Sequence, residues 1–129
     1  MTKRSMLHAQ PTVKGKPHDS VEVKDSPVHG VGLFAKEDIK KDTILHITHI
    51  HLGHELFVKI LQPGTGWLNV FPNNLVNHSK ENENCHIVIK DKTKELVTLT
   101  EIIQGEELFV DYTKDQEGGF EQPQEDWKE

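Results

Sequence analysis

The longest regular pattern in the chain is a β-branched run, Thr43-Ile44-Leu45-His46-Ile47-Thr48-His49-Ile50-His51. Its apolar and polar residues alternate with the period of a strand that has one covered face. That period places His49 and His51 on one face and Ile50 on the other. Shorter runs of the same kind lie along the chain: Ser20 to Lys24, Leu33 to Ala35, Trp67 to Phe71, His86 to Lys90, Glu95 to Thr100 and Leu108 to Val110. Asp91-Lys92-Thr93-Lys94 reads as the loop of a hairpin joining two of them. Between the runs come Asp25-Ser26-Pro27, Gln62-Pro63-Gly64-Thr65-Gly66, Pro72-Asn73-Asn74 and Gln104-Gly105, all built of residues that turn the chain. Helical spacing is found at Glu55 to Leu61, with Leu56 and Ile60 inward. The expectation is a mostly β fold with one short helix.

At 129 residues the chain is the size of one domain with a single core. Its one cysteine, Cys85, excludes an internal disulfide and a cysteine-based zinc cluster within one chain. No apolar run approaches the ~20 residues of a membrane span, and no signal-peptide core is present, so no membrane association and an intracellular, reducing location are expected. Charge divides the chain in three. Residues 1–18 carry Lys3, Arg4, Lys14 and Lys16 with no acid, and read as an N-terminal arm. Residues 19–114 form an acidic body. Residues 115–129 form an acidic tail whose large apolar groups are Phe120 and Trp127. Such a body lacks the basic face that holds nucleic acid, and suits a basic peptide better.

Three segments carry chemistry. Gly30-Val31-Gly32, leading into Leu33-Phe34-Ala35, is a backbone without Cβ atoms that can press against a ligand. Asn77-His78-Ser79 supplies a side-chain amide with both donor and acceptor. Gly105-Glu106-Glu107-Leu108-Phe109-Val110-Asp111-Tyr112 ends on the only tyrosine of the chain.

In this order and spacing the three segments resemble the SET domain family of S-adenosylmethionine-dependent protein lysine methyltransferases. The resemblance runs from about Val21 to Thr113. The lack of cysteine-rich flanking modules makes the chain similar to the small stand-alone form found in viral and bacterial proteins. The resemblance implies several small curved sheets, with the Asn-His-Ser segment threaded beneath the last strand in a pseudoknot-like crossing. It implies that S-adenosylmethionine lies against Gly30, Val31, Gly32, Asn77 and the backbone of His78. It makes Tyr112 the catalytic residue, orienting the amine of a lysine in a protein substrate. Val110, Phe109 and Trp67 would line the lysine channel. Val110 stands where an aromatic ring often limits the number of methyls, so more than one methyl is expected. A homodimer is compatible with the resemblance.

The chain also departs from the family pattern. Lys80 stands at a common cysteine position, an extra residue follows, and Glu83-Asn84 replaces Pro-Asn. No second tyrosine exists to line the channel. These departures leave a second reading, a SET-fold peptide-binding module with weak catalysis. A third comes from His49-x-His51-x-x-x-Glu55, which matches part of a cupin metal signature. The second half of that signature is absent.

Overall fold

The computed structural model describes residues 12–51 and 67–114. Nine strands occur in them: β1 (Thr12–Lys14), β2 (Val21–Asp25), β3 (Val31–Ala35), β4 (Ile44–His51), β5 (Trp67–Phe71), β6 (Asn77–His78), β7 (Cys85–Lys90), β8 (Thr93–Thr98) and β9 (Phe109–Val110). A 3-10 turn, Tyr112–Lys114, follows β9 directly. The expected short helix at 55–61 and the tail from 115 lie outside the described residues. No helix among the described residues is long and apolar enough to cross a membrane.

Strands β1-β5-β4-β8-β7, in that order, make a five-stranded sheet; β2 pairs with β3, and β6 with β9. The architecture is therefore the expected one of several small sheets. The hairpin between β7 and β8 is tighter than the sequence suggests, because Lys90 pairs with Thr93. Asp91 makes the turn with φ of 58°, a left-handed conformation that aspartate tolerates better than most residues. In β4 the simple alternation is interrupted twice, between Ile44 and His46 and between Ile47 and His49. His49 and His51 still pair with successive same-face residues, Asn69 and Trp67. Thr12–Lys14, within the segment read as an arm, forms an edge strand parallel to β5. The amide of Gly15 extends that ladder to the Phe71 carbonyl.

The core gathers Val21, Leu33, Ala35, Ile39, Leu45, Val76, Cys85, Leu96, Ile102, Leu108, Val110 and Tyr112. Fully covered residues such as Leu33, Leu96 and Leu108 each contribute about 1.5–3 kcal/mol by leaving water. The cluster matters for function because it includes residues of the glycine and tyrosine segments together with Val76, which leads directly into Asn77-His78-Ser79. It holds them against one another before any polar contact is counted.

The segment from Gly105 to Val110 joins two of the small sheets. Its first half runs along β3: the Ala35 amide donates to the Glu106 carbonyl, and the Leu108 amide donates to the Leu33 carbonyl. Its second half is β9, parallel to β6 with Asn77 opposite Phe109 and His78 opposite Val110. The Val110 carbonyl accepts from the Ser79 amide on one side of β9. On the other side Asn84 takes Phe109: its amide donates to the Phe109 carbonyl, and its side-chain oxygen accepts from the Phe109 amide. Residues 79–84 thus pass around β9, which is the threaded crossing.

Candidate active site

Asn77 sits on β6 with its side chain directed at the glycine-bearing turn. Its Nδ2 lies 3.1 Å from the His29 carbonyl, 3.1 Å from the Val31 carbonyl and 2.8 Å from Glu107 Oε2. Two hydrogens face three acceptors, so one hydrogen is shared. Glu107 Oε1 accepts from the Ser26 hydroxyl at 2.8 Å. The Ser26 oxygen in turn accepts from the amides of Val28 and His29. One carboxylate and one amide therefore pin both ends of the turn that contains Gly30 and Val31. Gly30 occupies φ of 50° there. Gly32 is required by space: a Cβ on it would run into Glu107 Oε2 and stand 2.8 Å from Asn77 Nδ2. The result is three oxygens, two from backbone and one from a carboxylate, gathered around the Asn77 amide nitrogen. Their remaining lone pairs are of the kind that suits an ammonium group.

Tyr112 belongs to the 3-10 turn and not to β9, and it is nearly enclosed, with 4% of its surface exposed. Its hydroxyl donates to the Val76 carbonyl at 2.6 Å. The phenol proton is thus engaged. Its amide donates to His78 Nδ1 at 3.0 Å, and the two rings lie 5.2 Å apart. Asp111 caps the turn, accepting from the Thr113 amide and hydroxyl. Burial raises its carboxyl, but the Thr113 bonds, with His78 and Lys114 nearby, outweigh that and hold it below the usual range.

Val110 is enclosed and borders a cavity of about 170 Å³, together with Glu83, His86, Ile87, Ile89, Asp111 and Lys114. Lys114 reaches across to Glu83 at 2.8 Å. Phe109 is buried and fixed by Asn84. Trp67 stands apart on β5, outside the core cluster that holds Val110 and Tyr112. The Lys94 ammonium lies 4.8 Å above its ring, and His51 packs edge-on against it.

Of the residues singled out from sequence, the structure brings together the glycine segment, Asn77, His78, Val110 and Tyr112. It adds Glu107, Ser26 and Asn84, which sequence reasoning passed over. Glu107 was hidden in a doubled acid whose other member, Glu106, only caps the amide of Ile103. Asn84 was counted as a departure from a pattern. Its carboxamide presents a donor and an acceptor side by side, as a peptide group does, and so replaces a strand neighbour for β9.

The metal reading is not supported by the geometry. His49 is fully buried with Nδ1 against the Thr48 hydroxyl, and His51 is packed on Trp67. Glu55 lies outside the described residues. No group of three or more metal-ligating side chains is found among the described residues.

Comparison with known proteins agrees with this architecture. Residues 53–113 match the model of a family described as "SET domain". The match contains Asn77, His78 and Tyr112 but not the glycine segment, which the Asn77 and Glu107 contacts join to it. No curated protein sequence matches the chain. Among solved structures, a candidate histone methyltransferase of Plasmodium falciparum is similar with a TM-score of 0.54 and 22% identity, over 72% of this chain and 92% of that one. CpSET8 of Cryptosporidium is similar with a TM-score of 0.58 and 20% identity, over 83% of this chain and 61% of that one.

Proposed function

We propose that this chain, a SET-domain protein by the match over residues 53–113 and by its fold, is an S-adenosylmethionine-dependent protein lysine N-methyltransferase. The observation that carries the reading is the convergence of the His29 and Val31 carbonyls and Glu107 on the Asn77 side chain, with Glu107 on the same short segment that holds Tyr112.

When bound, S-adenosylmethionine would supply a sulfonium methyl group for in-line transfer to an amine. Asn77, Glu107 and the carbonyls of His29 and Val31 are the groups to hold the ammonium of its amino-acid end. The missing Cβ of Gly32 lets the Glu107 and Asn77 side chains lie against the backbone there, which sets where they stand. The charge moves from sulfur to nitrogen and no new charge appears, so alignment is the main demand on the protein. Tyr112 meets it with a phenol fixed by Val76, whose oxygen can accept from the amine or point at the transferring methyl. An ordinary lysine, with pKa about 10.4, must first lose a proton. Enclosure by apolar groups such as Val110 favours the neutral amine by desolvation. The acidic body suits a basic, lysine-containing protein or peptide as substrate.

A second reading, a peptide-binding module without catalysis, draws on the same phenol, since the Tyr112 hydroxyl is buried and already bonded. One assay separates the two. The full chain is incubated with isotopically labelled S-adenosylmethionine and lysine-rich protein, and the products are mapped by mass spectrometry. Label on lysine side chains supports the enzyme. Peptide binding with no transfer of label, by a protein that also binds the donor, overturns it.

A further inference from the structure

We infer that His78 is a positioning residue for Tyr112, acting through the tyrosine backbone and not through contact with the donor. The inference rests on the methyltransferase reading of the site.

Tyr112 is held at both ends by residues two apart in sequence. Its hydroxyl is on the Val76 carbonyl at 2.6 Å, and its amide is on His78 Nδ1 at 3.0 Å. Asn77, between them, points to the glycine turn. The three residues Val76-Asn77-His78 therefore set the spacing between the place that would take the donor's ammonium and the phenol oxygen. Both contacts are buried.

The amide contact has a local cause. The first amides of a short turn have no partner within it. Here the one internal bond runs from the Lys114 amide to the Asp111 carbonyl. The Thr113 amide is taken by Asp111 Oδ1, and the Tyr112 amide by the imidazole. His78 is delivered there because it lies opposite Val110 in the parallel pair, two residues before the tyrosine. An imidazole nitrogen that accepts from a peptide N–H carries no proton, so the neutral ring has its proton on Nε2. The carboxylate facing it, Asp111 Oδ1, is 3.9 Å from Nδ1, too far to compete for that bond.

The test uses the full chain and exploits its single tyrosine, which gives one amide signal when only tyrosine is labelled with nitrogen-15. His78→Leu removes the acceptor and keeps bulk, while His78→Asn presents an oxygen close to where Nδ1 stands. With His78→Leu the Tyr112 amide should exchange at least ~10-fold faster. In the same variant kcat should fall at least ~10-fold while the dissociation constant for S-adenosylmethionine changes less than ~3-fold. His78→Asn should recover most of the protection and most of kcat. Histidine nitrogen-15 shifts of the unaltered chain, with His78 assigned by its loss in the asparagine variant, should report a proton on Nε2. This measurement decides the matter if His78→Leu does not fold. A proton on Nδ1 overturns the inference. So do exchange and kcat unchanged in His78→Leu, or an asparagine variant as impaired as the leucine one. If the unaltered chain transfers no methyl to any substrate, the methyltransferase reading falls alone, and the exchange and shift measurements still decide the contact.

Discussion

At the scale of single residues, Tyr112 carries the sharpest consequence. Tyr112→Phe keeps the ring among its core neighbours but takes the phenol donor from the Val76 carbonyl. Losing one buried partner costs about 1–2 kcal/mol, so the variant should fold with a modestly lower melting temperature. The rate should fall much further, by at least ~10²-fold or about 2.7 kcal/mol, with donor affinity little changed. Steady-state kinetics beside donor titration separate the two effects. A folded, donor-binding Tyr112→Phe protein that methylates near the original rate removes the tyrosine from the chemistry, since no second tyrosine can substitute for it.

At the scale of elements, two joints hold the site in place. The first is Asn84 against β9. Its side chain accepts from the Phe109 amide and donates to the Glu107 carbonyl. Asn84→Ala leaves both strand groups without those partners and should cost about 2 kcal/mol in denaturant unfolding. Asn84→Asp keeps the acceptor alone and should fall between. An alanine variant as stable as the original would mean that the core, and not this residue, keeps β9 in register. The second joint is His46 on β4. Its Nδ1 accepts from the His18 amide, and its Nε2 bonds the Asn73 carbonyl, tying the segment after β1 and the turn after β5 to the sheet. Burial drives its pKa from 6.5 down to about 4; the Asn73 bond opposes this, and neighbouring His18 adds to it. The unfolded chain therefore binds a proton that the folded chain refuses. Stability is full above about pH 6.5 and is lost as the pH falls toward 4, by about 3 kcal/mol in all. His46→Asn, which keeps an acceptor for the His18 amide and does not titrate, should flatten that slope in unfolding measured from pH 7 to pH 4. An unchanged slope would place the acid sensitivity elsewhere.

At the scale of the whole molecule, the donor is expected to bind where three distant segments meet, and to stabilise the fold because the unfolded chain has no such place. S-adenosylmethionine at ~100 times its dissociation constant should add about 2.7 kcal/mol, read as a raised melting temperature. Divalent metals and chelators should leave the melting temperature unchanged. A shift with metal and none with the donor would reverse both assignments.

How much of this molecule was legible without coordinates follows from what each feature depends on. The strands were readable because period-two alternation is local: Trp67 to Phe71 matches β5 fully, and β4 differs from its run by one residue. The turns were readable because Gly30, Asp91 and Gly105 occupy backbone regions that few residues tolerate. The motifs named Asn77, His78 and Tyr112, since their residue types and spacing are properties of the chain itself. What Glu107 and Asn84 do was not readable. Their partners lie on other segments, 81 residues away for Ser26 and 25 for Phe109, and nothing in an acid or an amide announces which distant group it will meet. The same holds for Thr12–Lys14, polar and short by pattern, which becomes a strand only because β5 offers it an edge. Local periodicity and backbone preference determined the elements. Only closure of the core, which presses β6 and β9 together and threads residues 79–84 around them, decided that a phenol, an imidazole and an amide would form one site.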